Sequence, residues 1–206
     1  MIHLKENQFI AFNGKNVFLF KYIINENATN IQLINNYTSN DMKDFYVLQK
    51  DKKEIIAMNS KNSLYFFNIP NFECINEMIV KSMNKNCLLQ INETEILIYD
   101  NYDLKIIDIN KFKCKLILKN KDNINFLLNL NDGTITHSSY LGIKRFSIKT
   151  MIELPILYLF NNDEDNDSYN YENYVEEVIY MYKLKDKRII ACYQNGKIEI
   201  CKLKFI

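Results

Sequence analysis

Apolar positions along the chain fall in short runs that are separated by polar turns. Residues 55–58, 96–99 and 189–192 are such runs, each flanked within two positions by a charged or amide side chain. No window keeps the i, i+3, i+4, i+7 apolar spacing of a surface helix. The runs are rich in β-branched and aromatic residues, which suit a pleated strand, and several are apolar at consecutive positions. The pattern therefore predicts an all-β fold whose strands are covered on both faces.

An internal repeat organises these strands. Its anchors are Ile69, Ile109 and Ile148, which lie 40 and 39 positions apart. Upstream of each anchor the same order recurs: a strand, a polar turn, a second strand, another turn, and a third strand that ends at the anchor. A fourth strand follows. Equivalent third strands are predicted to begin near residues 17, 64, 104, 143 and 198. This spacing predicts about five units of four strands each.

Two intervals between third strands are longer than the common period. We predict that residues 24–44 form an Asn-rich connection and that residues 161–177 form an acidic loop inserted between strands. The prediction is a single domain over residues 1–206.

A period near 40 residues with four strands per unit resembles the WD-repeat β-propeller family, whose blades have about 40–45 residues. The Trp-Asp dipeptide that ends the third strand in that family keeps its acid here only in Ile107-Asp108. The other matching pairs are Phe20-Lys21, Phe67-Asn68, Phe146-Ser147 and Cys201-Lys202. The resemblance implies a β-propeller of about five four-stranded blades that serves as a platform for protein interactions.

The two ends of the repeat predict a propeller that is incomplete or part of a larger one. The first unit begins with a short first strand, and the last unit stops at Ile206, just after its third strand. Neither end of the chain supplies the fourth strand that the last unit lacks. A strand edge without a neighbour offers free N–H and C=O groups for pairing with another chain. Imperfect closure of a five-bladed ring is a third possibility, but we favour a longer propeller or one that a partner completes.

Four residues are predicted to have structural roles. Asp108 ends a third strand, where its carboxylate can accept hydrogen bonds that fix the following turn. The anchors Ile69, Ile109 and Ile148 are expected to occupy equivalent positions in successive blades. All of these roles are structural, and none is catalytic.

The acidic loop is the one segment singled out for partner binding. It carries seven acidic residues from Asp163 to Glu177 and no basic residue. Asp163, Asp165 and Asp167 resemble the start of a calcium-binding loop, but Ser168 and Tyr174 replace the Gly and Glu that such a loop needs, so no metal site is predicted. Partner-binding candidates are Asp163, Glu164, Asp165, Asp167, Tyr169, Tyr171 and Tyr174, which would dock a basic protein with tyrosines as anchors.

Chemistry-bearing residues are sparse, and no catalytic residue is assigned. The only histidines are His3 and His137. The residue types of a hydrolase triad are supplied by His137, Ser138, Ser139 and Asp132, but all four lie on one strand and its turn, where side chains alternate between faces. The sequence therefore predicts a protein that is not an enzyme.

Cofactors and membrane insertion are not predicted either. The five cysteines occur singly, without the paired spacing of a zinc site. Lys5 and Glu6 interrupt the N-terminus before an apolar leader forms, and no apolar stretch is long enough for a membrane span. A cytoplasmic or nuclear location is expected.

The predicted function is a non-enzymatic protein–protein interaction scaffold within a larger complex, with other proteins as partners. The alternative is a nucleic-acid-associated propeller that binds RNA through a lysine-rich outer strand. The candidate lysines are Lys111, Lys113, Lys115, Lys119 and Lys121. A net charge of +1 and a total of two arginines make nucleic acid the less favoured partner.

Overall fold

The fold is all-β and consists of five antiparallel sheets, the blades of a five-bladed β-propeller. In each sheet the strands pair in the order in which they occur along the chain. The computed structural model describes residues 1–5, 7–25, 28–39, 41–60, 62–81, 83–119, 123–139, 142–150, 152–154, 178–186 and 188–202. The all-β prediction and the five-blade count are confirmed.

Four sheets have four strands, and the fifth has three among the described residues. The first two sheets comprise β1 (Ile2–His3), β2 (Gln8–Phe12), β3 (Asn16–Asn25) and β4 (Ala28–Thr38), then β5 (Asp44–Lys50), β6 (Lys53–Asn59), β7 (Ser63–Asn68) and β8 (Cys74–Ile79). The other three comprise β9 (Met83–Asn92), β10 (Glu95–Asp100), β11 (Asp103–Asp108) and β12 (Lys113–Lys119), then β13 (Ile124–Asn129), β14 (Thr134–Ser139), β15 (Gly142–Ser147) and β16 (Glu153–Leu154), then β17 (Val178–Lys183), β18 (Arg188–Tyr193) and β19 (Ile198–Lys202).

Second strands of the middle blades are buried on both faces. All six residues of β14 are buried, and so are the last five residues of β6 and of β10. Consecutive apolar residues such as Ile55, Ile56 and Ala57 make this possible, because neighbouring residues of a strand point to opposite faces. In the fifth blade β18 alternates between buried and more exposed positions, and in the first blade only Ile10 of β2 is buried.

Contacts divide the chain into two compact units. The first comprises residues 1–83, 92–96 and 107–115. Its core joins the first two blades: Val17 and Leu19 of β3 pack with Ile56 and Met58 of β6. The remaining buried members of this cluster are Ile10, Met42, Phe45, Phe67 and Phe72.

The second unit comprises residues 84–91, 97–106 and 116–206. Its core joins the fourth and fifth blades: Phe126 and Ile143 pack with Met181, Ile189 and Ala191. Leu130, Val178, Tyr193 and Cys201 complete the cluster. That residues 1–206 form a single domain stays a prediction.

The repeat anchors occupy equivalent positions. Ile69, Ile109 and Ile148 each follow the last residue of a third strand directly. The amide of Ile109 donates to the carbonyl of Thr94 at 2.9 Å, and that of Ile148 donates to the carbonyl of Gly133 at 3.0 Å. In both blades the backbone amide of the anchor is thus hydrogen-bonded to the turn between the first and second strands.

The prediction of a connection over residues 24–44 was wrong, because most of this segment is β4. This strand pairs with β3 from Asn16 opposite Thr38 to Asn25 opposite Ala28. Its asparagines lie on an outer strand, where exposed amide side chains face water. The first blade therefore has four strands, β1 to β4. The acidic loop at 161–177 lies outside the described residues.

Replacing Ile56 by alanine should lower the free energy of unfolding by roughly 3 kcal/mol, because it leaves a cavity in a closely packed core. Ile56 is fully buried between the first two blades. Chemical denaturation monitored by circular dichroism measures the change. The matched control is Ile79→Ala at the end of β8, where the side chain is 87% exposed and the expected change is within about 0.5 kcal/mol. Equal effects of the two variants would contradict the assigned core.

Candidate functional site

The turn after β11 is held by Asp108. Its Oδ1 accepts hydrogen bonds from the amides of Asn110 at 2.9 Å and Lys111 at 3.2 Å. Its Oδ2 lies 3.3 Å from the Nζ of Lys115 on β12. Burial of the carboxyl raises its pKa, but these hydrogen bonds outweigh burial and leave the pKa below its usual range. Asp108 thus positions the connection between the third and fourth strands.

The lysine-rich outer strand is partly neutralised by carboxylates. Besides Asp108, Lys115 contacts the Oε1 of Glu95 at 2.8 Å, and Lys119 contacts Asp103 at 2.9 Å. The hydrogen bond from Lys115, together with one from Asn92, keeps the pKa of Glu95 below its usual range. These ion pairs reduce the positive charge that β12 can offer to an RNA phosphate backbone. Lys121 lies outside the described residues.

Strand β14 carries an unusual run of buried polar side chains. Thr136, Ser138 and Ser139 have no exposed surface, and Thr134 and His137 have little. The hydroxyl of Ser138 donates to the carbonyl of Val178 at 3.1 Å, which ties the fourth blade to the fifth. The ring of His137 lies 5.8 Å from that of Phe146 on β15. Sequence reasoning did not identify this strand as a polar core element.

The triad residue types are divided between the two faces of this sheet. Asp132 contacts the guanidinium of Arg145 at 2.9 Å and the hydroxyl of Thr134 at 2.5 Å. Ser138 lies on the same face as Thr134, the hydrogen-bond partner of Asp132, whereas His137 and Ser139 lie on the opposite face. A nucleophile, a base and an orienting acid do not converge on either face.

The charge of Asp132 instead has a structural role. Burial raises the pKa of its carboxyl, but hydrogen bonds from Thr134 and the positive charge of Arg145 outweigh burial and leave the pKa below its usual range. Arg145 also donates from Nε to the hydroxyl of Thr134 at 2.8 Å. The three residues form one network that links the turn before β14 to β15.

The cysteines are not joined by disulfides, and they are distributed over three blades, the second, third and fifth. Burial raises the pKa of the Cys201 thiol to about 11, and the nearby Glu199 adds to this effect. A thiol with so high a pKa is a poor nucleophile and a poor metal ligand near neutral pH. Across the described ranges, no three His, Cys, Asp or Glu side chains come together as a metal site.

The outward face of the fifth blade is apolar and exposed. Two cross-strand rows cover it, Tyr182–Ile190–Ile200 and Tyr180–Cys192–Ile198. Tyr182 is 55% exposed and Ile200 is 59% exposed, while the opposite face of the blade is buried in the core of the second unit. Sequence reasoning missed this surface, because the same residues would fit a buried strand. The partner-binding residues predicted in the acidic loop, Asp163, Glu164, Asp165, Asp167, Tyr169, Tyr171 and Tyr174, lie outside the described residues.

Comparisons with known proteins support the fold. No protein-family model matches the chain, and no curated protein matches it in sequence. Among solved structures, the chain is similar to the crystal structure of the computationally designed Ika4 protein, with a TM-score of 0.50 and 14% identity over 77% of this chain and 92% of that one. At that identity the likeness concerns the fold alone. No helix long and apolar enough to cross a membrane is found in the described part of the chain.

The Asp132 network should make stability depend on pH in the acid range. Because the folded-state pKa of Asp132 is lowered, its contribution is complete above the unfolded-state pKa of about 4 and is lost as pH falls through the folded value. Asp132→Asn should therefore lower the thermal midpoint near neutral pH, and the difference from wild type should disappear at low pH.

Thermal unfolding of both proteins over a pH series measures this difference. Asp41→Asn, at an exposed position, is the matched control and should follow the wild type throughout. A difference between Asp132→Asn and wild type that stays constant down to the lowest pH would contradict the role assigned to the charge.

Proposed function

We propose that the chain is a non-enzymatic, WD-repeat-like scaffold that binds other proteins within a larger complex, in the cytoplasm or nucleus. The exposed apolar face of the fifth blade is the observation that carries this proposal. Isolated apolar residues are common on protein surfaces, but a contiguous cross-strand patch is typical of an interaction site. The patch combines two tyrosines with two isoleucines, and aromatic anchors of this kind are enriched at protein interfaces.

The position of the patch agrees with the acidic loop as a second contact. Residues 161–177 lead directly into β17, which contributes Tyr180 and Tyr182 to the patch. A partner with an apolar centre and a basic rim would fit both features, since apolar contacts supply affinity and rim charges speed association. The ion pairs on β12 make RNA the less favoured ligand.

Affinity purification of the tagged chain followed by mass spectrometry tests the proposal. A variant with Ile198→Ser and Ile200→Ser should lose at least one partner that the wild type retains, because it removes apolar contact area from the patch centre. A variant that lacks residues 161–174 should lose the same partner or bind it less tightly than the wild type at low salt, where charges are least screened.

The matched control is Leu116→Ser with Ile117→Ser on β12, where both side chains are also exposed. Circular dichroism should give the same spectrum for all variants. Partner sets that are the same for the wild type and the fifth-blade variant would contradict this surface as the binding site. RNA binding that weakens with salt and depends on Lys113 would favour the alternative.

A further inference from the structure

The outer strands of the blades differ in how their free edges are protected. Natural sheets guard exposed edges with charged side chains, above all lysine. Three lysines lie on β12, and Glu77 lies on β8. Strand β4 is eleven residues long and contains neither a charged residue nor a proline. It is the longest of these outer strands and the least protected.

One half of β4 is fixed and the other is exposed. Toward the end of β4, the side-chain Nδ2 of Asn35 donates to the carbonyl of Pro70 at 3.1 Å, and the ring of Tyr37 lies 4.8 Å from that of Phe67. Residues 29–34 are all exposed, with Ile31 at 64% and Leu33 at 50%. The core contacts of Tyr37 hold this exposed edge in an extended conformation, which lowers the entropy cost of pairing with another strand.

Residues 29–34, Thr-Asn-Ile-Gln-Leu-Ile, combine β-branched and aliphatic residues with no net charge. Such a segment pairs readily with a further strand. In an antiparallel pair every second residue directs both its N–H and its C=O away from its neighbour, so β4 offers these groups along the edge that β3 does not use.

We propose that this edge of β4 pairs in antiparallel fashion with the same edge of a second copy of the chain. A two-fold axis through the pairing places residues 29–34 opposite themselves, and because they carry no charge, no like charges meet. Two-fold pairing of β12 would instead bring lysine side chains of the two copies close together. Two-fold pairing uses both edges and closes on itself, so the product is a dimer and not a fibre.

Size-exclusion chromatography with light scattering over a concentration series tests the proposal. The wild-type chain should shift from monomer to dimer as concentration rises. A variant with Ile31→Lys and Leu33→Lys should stay monomeric at every concentration, because pairing would place lysines opposite one another. Its thermal midpoint should be close to that of the monomeric wild type, since both positions are exposed. Ile79→Lys, at an exposed position on β8, is the matched control and should dimerise like the wild type.

A charge-exchange experiment separates this interface from any other. A second variant, with Ile31→Glu and Leu33→Glu, should also be monomeric alone, and an equimolar mixture with the lysine variant should restore the dimer. A wild-type chain that is monomeric throughout, a lysine variant that still dimerises, or a mixture that stays monomeric would each overturn the proposal. Dimerisation without any captured partner would contradict the scaffold function alone, and partner capture by a strictly monomeric chain would contradict the dimer alone.

Discussion

Burial of the second strand on both faces is the constraint on which the rest of the structure depends. The side chains of a strand such as β6 or β14 can be buried at consecutive positions only if each face of the strand is covered. Packing blade against blade satisfies this requirement, as the two core clusters show: one joins the first and second blades, and the other joins the fourth and fifth. The short runs of consecutive apolar residues in the sequence supply the side chains for this packing.

Carboxylates hold the connections between strands within two of the blades. Asp108 holds the connection to a fourth strand, and the network of Asp132, Thr134 and Arg145 holds the start of a second strand. Each carboxylate is stabilised in its charged form by donors from its own blade, so these charges support the local turn geometry.

The second, third and fourth blades could be predicted from sequence because their isoleucine anchors repeat at intervals of 40 and 39 positions. Strand β4 could not, because an exposed outer strand has no buried face to impose an apolar pattern, and its Asn30, Asn35 and Asn36 are typical of a loop. The buried position of Ser138 on β14 could not be predicted, because the carbonyl of Val178 that accepts its hydrogen bond is distant in sequence. The apolar face of the fifth blade was missed because exposure depends on what covers a strand, which a local sequence pattern does not contain.

Hydrogen–deuterium exchange resolved by strand tests the central claim most directly. If burial on both faces holds the blades together, the amides of β6, β10 and β14 should exchange slowest, at rates set by global unfolding, while those of the outer strands β8 and β12 exchange much faster through local opening. Exchange of the second strands as fast as that of the outer strands would contradict the account, because it would mean that the strands assigned to the core open without disrupting the blades around them.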